Sequence, residues 1–247
     1  MKYLPAHLRQ KQTFESAARE QFKTHYGWYQ GDVAYSSEIA ITTNLDYSKY
    51  RDSRILVVGG GPTTAEVKWD PTSYDFVFSC NHFFLHPILR ECVDFAVLCQ
   101  EVDVKGEEFL SYYRASQSTF CFENSETPQE KVQFMVDKGR TCIATLRLNL
   151  KNGTAARLLL ITASFQPAEI HVVGMDGLPK GSSYGSDVKH SFQQNKTLNS
   201  IHFNYEKYFN EYKMIWEYLK YDLAPNTKFV NLGHGHPYNI STHFNIL

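Results

Sequence analysis

The chain has 247 residues, 43% of them hydrophobic and 15% aromatic, enough to bury one sizeable core or a core with a small lid. A formal net charge of -1 argues against a general electrostatic pull toward nucleic acid or an anionic membrane, leaving only a local basic groove for such partners. Five cysteines, Cys80, Cys92, Cys99, Cys121 and Cys142, are odd in number and lack paired spacing, which argues against a disulfide framework and fits a reducing compartment.

In chain order, "MKYLPAHLRQKQTFESAAREQF" is too charged for a signal peptide, and no apolar run approaches the roughly 20 residues of a membrane helix. The expectation is a soluble, cytoplasmic protein with no membrane span. Residues 5–25 read as an amphipathic helix with Leu8, Phe14, Ala17 and Phe22 near one face. Residues 27–53 read as irregular or weakly stranded. Residues 1–53 therefore form an expected N-terminal helical appendage packed on the core, with an oligomer contact as one use for it. Residues 54–247 form the expected catalytic domain.

The regular pattern begins with the strand "RILVVGG" at Arg54. A short helix follows the glycines, broken by "WDPTS". Further strands are read at residues 74–81, 93–100 and 118–124. "TPQEKVQFMVDKG" reads as a capped helix or lid, and residues 152–165 as a strong helix. Residues 169–177 form a buried strand ending in Gly-Met-Asp. A long aromatic helix spans residues 204–223, and the last strand spans residues 227–233. Continuous apolar strands alternating with helices predict a single α/β domain, its sheet mostly parallel with helices on both faces. Ligands of such sheets bind beyond the carboxyl ends of the strands.

The polar punctuation falls at those ends. The first strand delivers Gly59, Gly60, Gly61, Pro62 and Thr63; the second delivers Asn81; the central helix opens with Asn152, Gly153 and Thr154; a later strand delivers Asp176. The glycine turn lacks the third glycine of a dinucleotide fingerprint, strand two ends in Asn81 and not in an acid, and no Walker lysine follows. Two readings stay open: a nucleotide phosphate near a helix N-terminus, or a tight strand-to-helix turn. Taken alone, Asn152 or Thr154 reads first as a plain N-cap, with Gly153 allowing close backbone approach. Asp176 is a strand-tip carboxylate that orients a ligand or a loop. Residues 177–203 are polar and longer than an ordinary loop, which favours a functional lid. Within it, Tyr184 offers a phenol, and His190 and His202 titrate near neutrality.

The order "VVGGGPT … YDFVFSCNHF … NGTAARLLLITASFQPAEIHVVGMDG … KGSSYGSD … IHFNYEK" resembles the family-42 bacterial sialyltransferases. It is also similar to the wider Rossmann-like group with motility-associated flagellin glycosyltransferases and archaeal hydroxymethylpterin pyrophosphokinases. The resemblance covers roughly residues 54–232, and "CNHF" and "GSSYGSD" are its most specific pieces. It implies that Gly59, Gly61, Pro62 and Asn81 bind the nucleotide of a nucleotide sugar and that Asn152, Gly153 and Thr154 touch the donor. It implies Tyr184 on the leaving phosphate and His202 as general base. Three departures bear on the donor: Gly60 stands where asparagine is frequent, the central turn reads Asn-Gly-Thr in place of Thr-Ser-Gly, and Gly177 follows Asp176 where a tyrosine is expected.

The expected activity is transfer of a sugar from a CMP- or UDP-linked donor to an acceptor hydroxyl. Gly59 to Thr63 would sit under the phosphates, Asn81 would read the nucleoside, and Ser182 or Ser183 would join Tyr184 at the leaving group. No Asp-x-Asp motif occurs, so no obligatory metal or cofactor is expected. His234 and His236 are read as shaping the acceptor mouth. The competing readings are a Mg²⁺-dependent phosphotransferase using Asp176 and a non-catalytic nucleotide-binding module. A glycan, a small molecule, a protein or a modified DNA base remain open as acceptors, with Arg140, Arg147 and Lys151 as a local basic rim.

Overall fold

The computed structural model describes residues 32–35, 39–43, 45–123, 127–146, 153–176, 190–193 and 205–233. Among them are nine strands: β1 (Asp32–Tyr35), β2 (Ile39–Thr43), β3 (Arg54–Val58), β4 (Phe76–Cys80), β5 (Phe95–Leu98), β6 (Thr119–Glu123), β7 (Thr141–Leu146), β8 (Glu169–Val173) and β9 (Lys228–Asn231). They form one sheet in the order β1-β2-β7-β6-β5-β4-β3-β8-β9. The seven strands from β7 to β9 are parallel, while β1 and β2 add an antiparallel hairpin on the β7 edge.

The described helices are α1 (Thr63–Glu66), α2 (Leu89–Cys92), α3 (Glu107–Ala115), α4 (Gln129–Asp137), α5 (Gly153–Ser164) and α6 (Tyr205–Tyr218), the last running into a π-helical turn at Leu219–Leu223. Successive strand side chains point to opposite faces, and both faces here are buried. Ile55 and Val57 join Phe78, Phe95 and the apolar side of α5 and α6 in one cluster, with Leu158, Ile161, Ile215 and Trp216. Leu56 and Val58 join Val77, Leu98, Phe120 and the apolar side of α3 and α4 in the other, with Phe109, Tyr112, Val132 and Met135. Two-sided burial is why these strands carry unbroken apolar runs. The α/β Rossmann-like class read from the sequence is the observed one.

α2, α3 and β7 lie outside the sequence reading, and the weakly stranded stretch before Arg54 forms a hairpin. The β1–β2 hairpin comes from the stretch read as irregular or weakly stranded, β7 sits in "TCIATL", and α3 sits in "EEFLSYYRA". The core also begins before Arg54. Tyr50 is fully buried, with edge contacts to Phe76 at 4.8 Å and Phe78 at 4.9 Å, and Tyr47 stacks on Phe165 at 4.8 Å. β1, β2 and residues 45–53 therefore complete the sheet and its core. The helix read at residues 5–25 lies outside the described residues. No helix among the described residues is long and apolar enough to cross a membrane.

Candidate functional site at the carboxyl edge of the sheet

Strands β4 to β7 are laid out on one side of β3, and β8 and β9 on the other. The chain thus changes direction between β3 and β8, and the crevice beyond such a switch point is where doubly wound sheets place ligands. The turn at Gly59–Gly61 and the tip at Gly174–Asp176 stand on its two sides.

These tips interlock. The Gly59 amide donates to the Val173 carbonyl at 2.8 Å and the Gly61 amide to the Gly174 carbonyl at 2.9 Å. A Cβ on Gly61 would lie 2.3 Å from Asp176 Oδ2 and 2.7 Å from the Gly174 oxygen, so a side chain there is incompatible with the tip. Asp176 is buried; Oδ2 accepts the Thr63 amide at 2.9 Å and Oδ1 accepts the Thr63 hydroxyl. The Thr63 hydroxyl oxygen in turn accepts the Gly174 amide at 3.0 Å, and Thr64 donates to the Gly59 carbonyl at 2.7 Å. The amides of Gly59, Gly61 and Thr63 thus point inward, to the β8 tip. Asp176 fastens the start of α1 beside Pro62.

The second cluster joins β4, β5 and α5. Asn81, with φ 51°, follows β4 in the left-handed region, where asparagine is tolerated. Its Oδ1 accepts the Cys99 amide at 3.0 Å, and its Nδ2 donates to Thr154 Oγ1 at 3.1 Å. Asn81 and Thr154, read separately from the sequence, therefore meet. An amide carries two donor hydrogens and two acceptor lone pairs, so these bonds use half of its capacity. Gly153 opens α5 with φ 76°, and none of the described residues comes within 4 Å of the position a Cβ would take. Val58 pairs with Ser79 and Val173 in register, which makes the β3, β4 and β8 tips neighbours. Burial pushes the Cys80 thiol at the end of β4 up to about 12, which keeps it out of nucleophilic chemistry near neutral pH.

Of the polar lid, His190–Gln193 is described, and it rests on the glycine turn. The Ser191 amide donates to the Gly60 carbonyl at 2.8 Å, and the Ser191 hydroxyl donates to the Gly61 carbonyl at 2.6 Å. Phe192 is buried in the β3–β4 core cluster. Ser191 is a contact that the sequence reading missed; its partners lie 130 residues away, and no local pattern marks it. Asn152, Ser182, Ser183, Tyr184, His202, His234 and His236 lie outside the described residues. So do Arg147 and Lys151, while Arg140 is spent on the carbonyls of Ser116 and Tyr113 at the other end of the sheet.

A cavity of about 410 Å³ opens there, at the amino ends of β5 and β6, between Arg90, Asp94, Tyr112 and Gln117. None of the strand-tip residues read as functional lines it. The convergence of Gly59–Thr63, Asn81, Thr154 and Asp176 marks the carboxyl edge as the better candidate site.

No family model and no curated protein matches the sequence. Solved structures that the fold is similar to include a mutant of the α-2,3/8-sialyltransferase CstII, at 15% identity and TM-score 0.43, covering 75% of this chain and 89% of that one. CstII from Campylobacter jejuni, solved with the substrate analogue cytidine-5'-monophosphate, is 14% identical with TM-score 0.46, covering 71% and 82%. A mammalian sialyltransferase is 12% identical with TM-score 0.48, covering 92% and 86%. Likeness at this level decides neither donor, acceptor nor residue roles, which rest on the site itself.

Proposed function

We propose that the protein is a nucleotide-sugar glycosyltransferase, with the donor held at the crevice beyond β3 and β8. The observation that carries this reading is the meeting of strand-tip residues at a topological switch point: Gly59–Thr63 with Asp176, and Asn81 with Thr154. The order of motifs from "VVGGGPT" to "IHFNYEK" supports the sialyltransferase-like form of it, with a CMP- or UDP-linked donor.

Asn81 presents amide groups to the nucleoside, held in place by Cys99 and Thr154. Departure of the nucleotide needs its developing charge stabilised by fixed donors. Tyr184, with Ser182 or Ser183, is assigned that task. The acceptor hydroxyl has a pKa far above neutrality, so a positioned base must take its proton during attack; His202 is assigned that role. The acceptor is a hydroxyl of a glycan, a small molecule or a modified nucleic-acid base. The phosphotransferase alternative would give Asp176 to Mg²⁺, but both of its oxygens hold Thr63.

A thermal-shift panel of CMP, UDP, GDP and ATP, each with and without Mg²⁺, tests the reading, because a ligand of the folded state raises its stability by mass action. A shift with CMP or UDP is expected; a shift with ATP alone, and only with Mg²⁺, would turn the assignment to phosphoryl transfer. With the donor identified, His202→Ala is expected to lower turnover by about 10² to 10⁴ while donor binding stays. Near-normal turnover would remove His202 from the mechanism.

A further inference from the structure

The three glycines of the turn leave room for three different neighbours. At Gly59 and Gly61 the space is taken by the Gly174 carbonyl and the Asp176 carboxylate, which are interior parts of the fold. At Gly60 it is taken by an imidazole: a Cβ there would lie 2.3 Å from Cε1 and 2.4 Å from Nε2 of His190. His190 and Gly60 are both half-buried, so the ring stands at the mouth of the crevice.

The ring is held by its own neighbours. Ser191 ties the strap to the carbonyls of Gly60 and Gly61, and Phe192 anchors it in the core, with its ring 6.1 Å from that of His86. The Phe192 amide donates to His190 Nδ1 at 3.2 Å. A neutral imidazole that accepts at Nδ1 carries its proton at Nε2, the atom that faces Gly60. The turn's own amides at Gly59, Gly61 and Thr63 are turned inward, and Asp176 places a negative charge directly behind them. An anionic group entering this crevice therefore finds these three amides already engaged and needs a further donor.

We propose that His190 is a ligand-binding residue of the site, giving its Nε2 proton in a hydrogen bond to a phosphate oxygen of the nucleotide. Position 60 lacks a side chain because the imidazole occupies that place. The inference rests on the nucleotide reading above and assigns a phosphate contact to the strap, since the amides of Gly59, Gly61 and Thr63 are turned inward.

Calorimetric titration of the full chain with CMP and UDP, and with cytidine and uridine, tests it. His190→Ala is expected to weaken the nucleotide that binds by about tenfold to a hundredfold and to leave the matching nucleoside unchanged, since charge-assisted hydrogen bonds are of that size. Gly60→Ala, which displaces the ring without removing it, is expected to give the same loss. The double variant is expected to be no weaker than either single one, as for two changes to one interaction. His190→Gln, which keeps a donor, is expected to recover part of the affinity and guards against a folding defect. Nucleotide affinity equal to wild type in His190→Ala, or equal losses for nucleotide and nucleoside, would overturn the role of His190. Wild-type protein that binds neither nucleotide would overturn the nucleotide reading itself.

Discussion

Asp176 holds the crevice from within, and its neighbours say what removing it would do. In Asp176→Ala the buried Thr63 amide and hydroxyl lose their acceptor, at a cost of about 1–3 kcal/mol. Asp176→Asn keeps an acceptor and is expected to cost less, with turnover following stability in both, as urea denaturation and a transfer assay would report. Loss of turnover at full stability in Asp176→Asn would instead give the carboxylate a direct chemical role. At the opposite end of the sheet, His171 is buried between the Tyr74 hydroxyl, 3.0 Å from Nδ1, and Glu169 Oε2, 3.0 Å from Nε2. Burial holds its pKa below the usual histidine value against the pull of Glu169, and Arg54 and Lys228 add to the lowering. The folded state thus favours the neutral ring, while an unfolded histidine titrates near about 6.5. This contribution is complete above that pH and is lost as pH falls through the folded-state value. Denaturation midpoints are expected to decline below about pH 6.5, and His171→Gln should flatten the decline in that window. Glu169 adds a second loss at lower pH: burial opposes its ionisation, but Lys228 and His171 outweigh it and lower its pKa.

α5 shows what an element requires at its start. Gly153 has φ 76°, and among the described residues a Cβ there would meet nothing within 4 Å, so the demand these residues place on the position is conformational and not steric. Gly153→Ala is expected to cost about 1–2 kcal/mol, the left-handed penalty of an ordinary residue. Gly153→Asn should recover part of it, because asparagine visits that region more readily; equal thermal midpoints for all three proteins would refute the conformational account. The apolar runs of β3, β4 and β8 were legible because strands buried on both faces have no polar positions to blur them. β1 and β2 were legible only as an irregular or weakly stranded stretch, because short strands carry a short apolar pattern, and their place is set by pairing with β7. α3 carries a sparse signal: Phe109 and Tyr112 are its buried residues, three apart on one face.

For the whole molecule, the boundary expected at residue 53 has a direct test, because residues before it pack into the core. Removing residues 1–53 takes away Tyr47, Tyr50 and the β1–β2 hairpin, leaving β7 as an unpaired edge beside a gap in the core. Unpaired edges invite association, so residues 54–247 alone are expected to aggregate or to unfold without a cooperative transition. A monomeric, cooperatively unfolding fragment on gel filtration and urea titration would make residues 54–247 an independent unit. The sequence by itself determined the class of fold, since apolar runs alternating with helices can be buried only in a two-sided parallel sheet, and it put the glycines, Asn81, Thr154 and Asp176 at strand and helix ends. Only the tertiary structure decided that β3 lies beside β8, that Asp176 meets Thr63 across 113 residues, and that His190 fills the space above Gly60. Local pattern reports how each segment is buried. Which distant segments then touch depends on strand order and on how the chain crosses the sheet, and no short stretch of sequence carries that information.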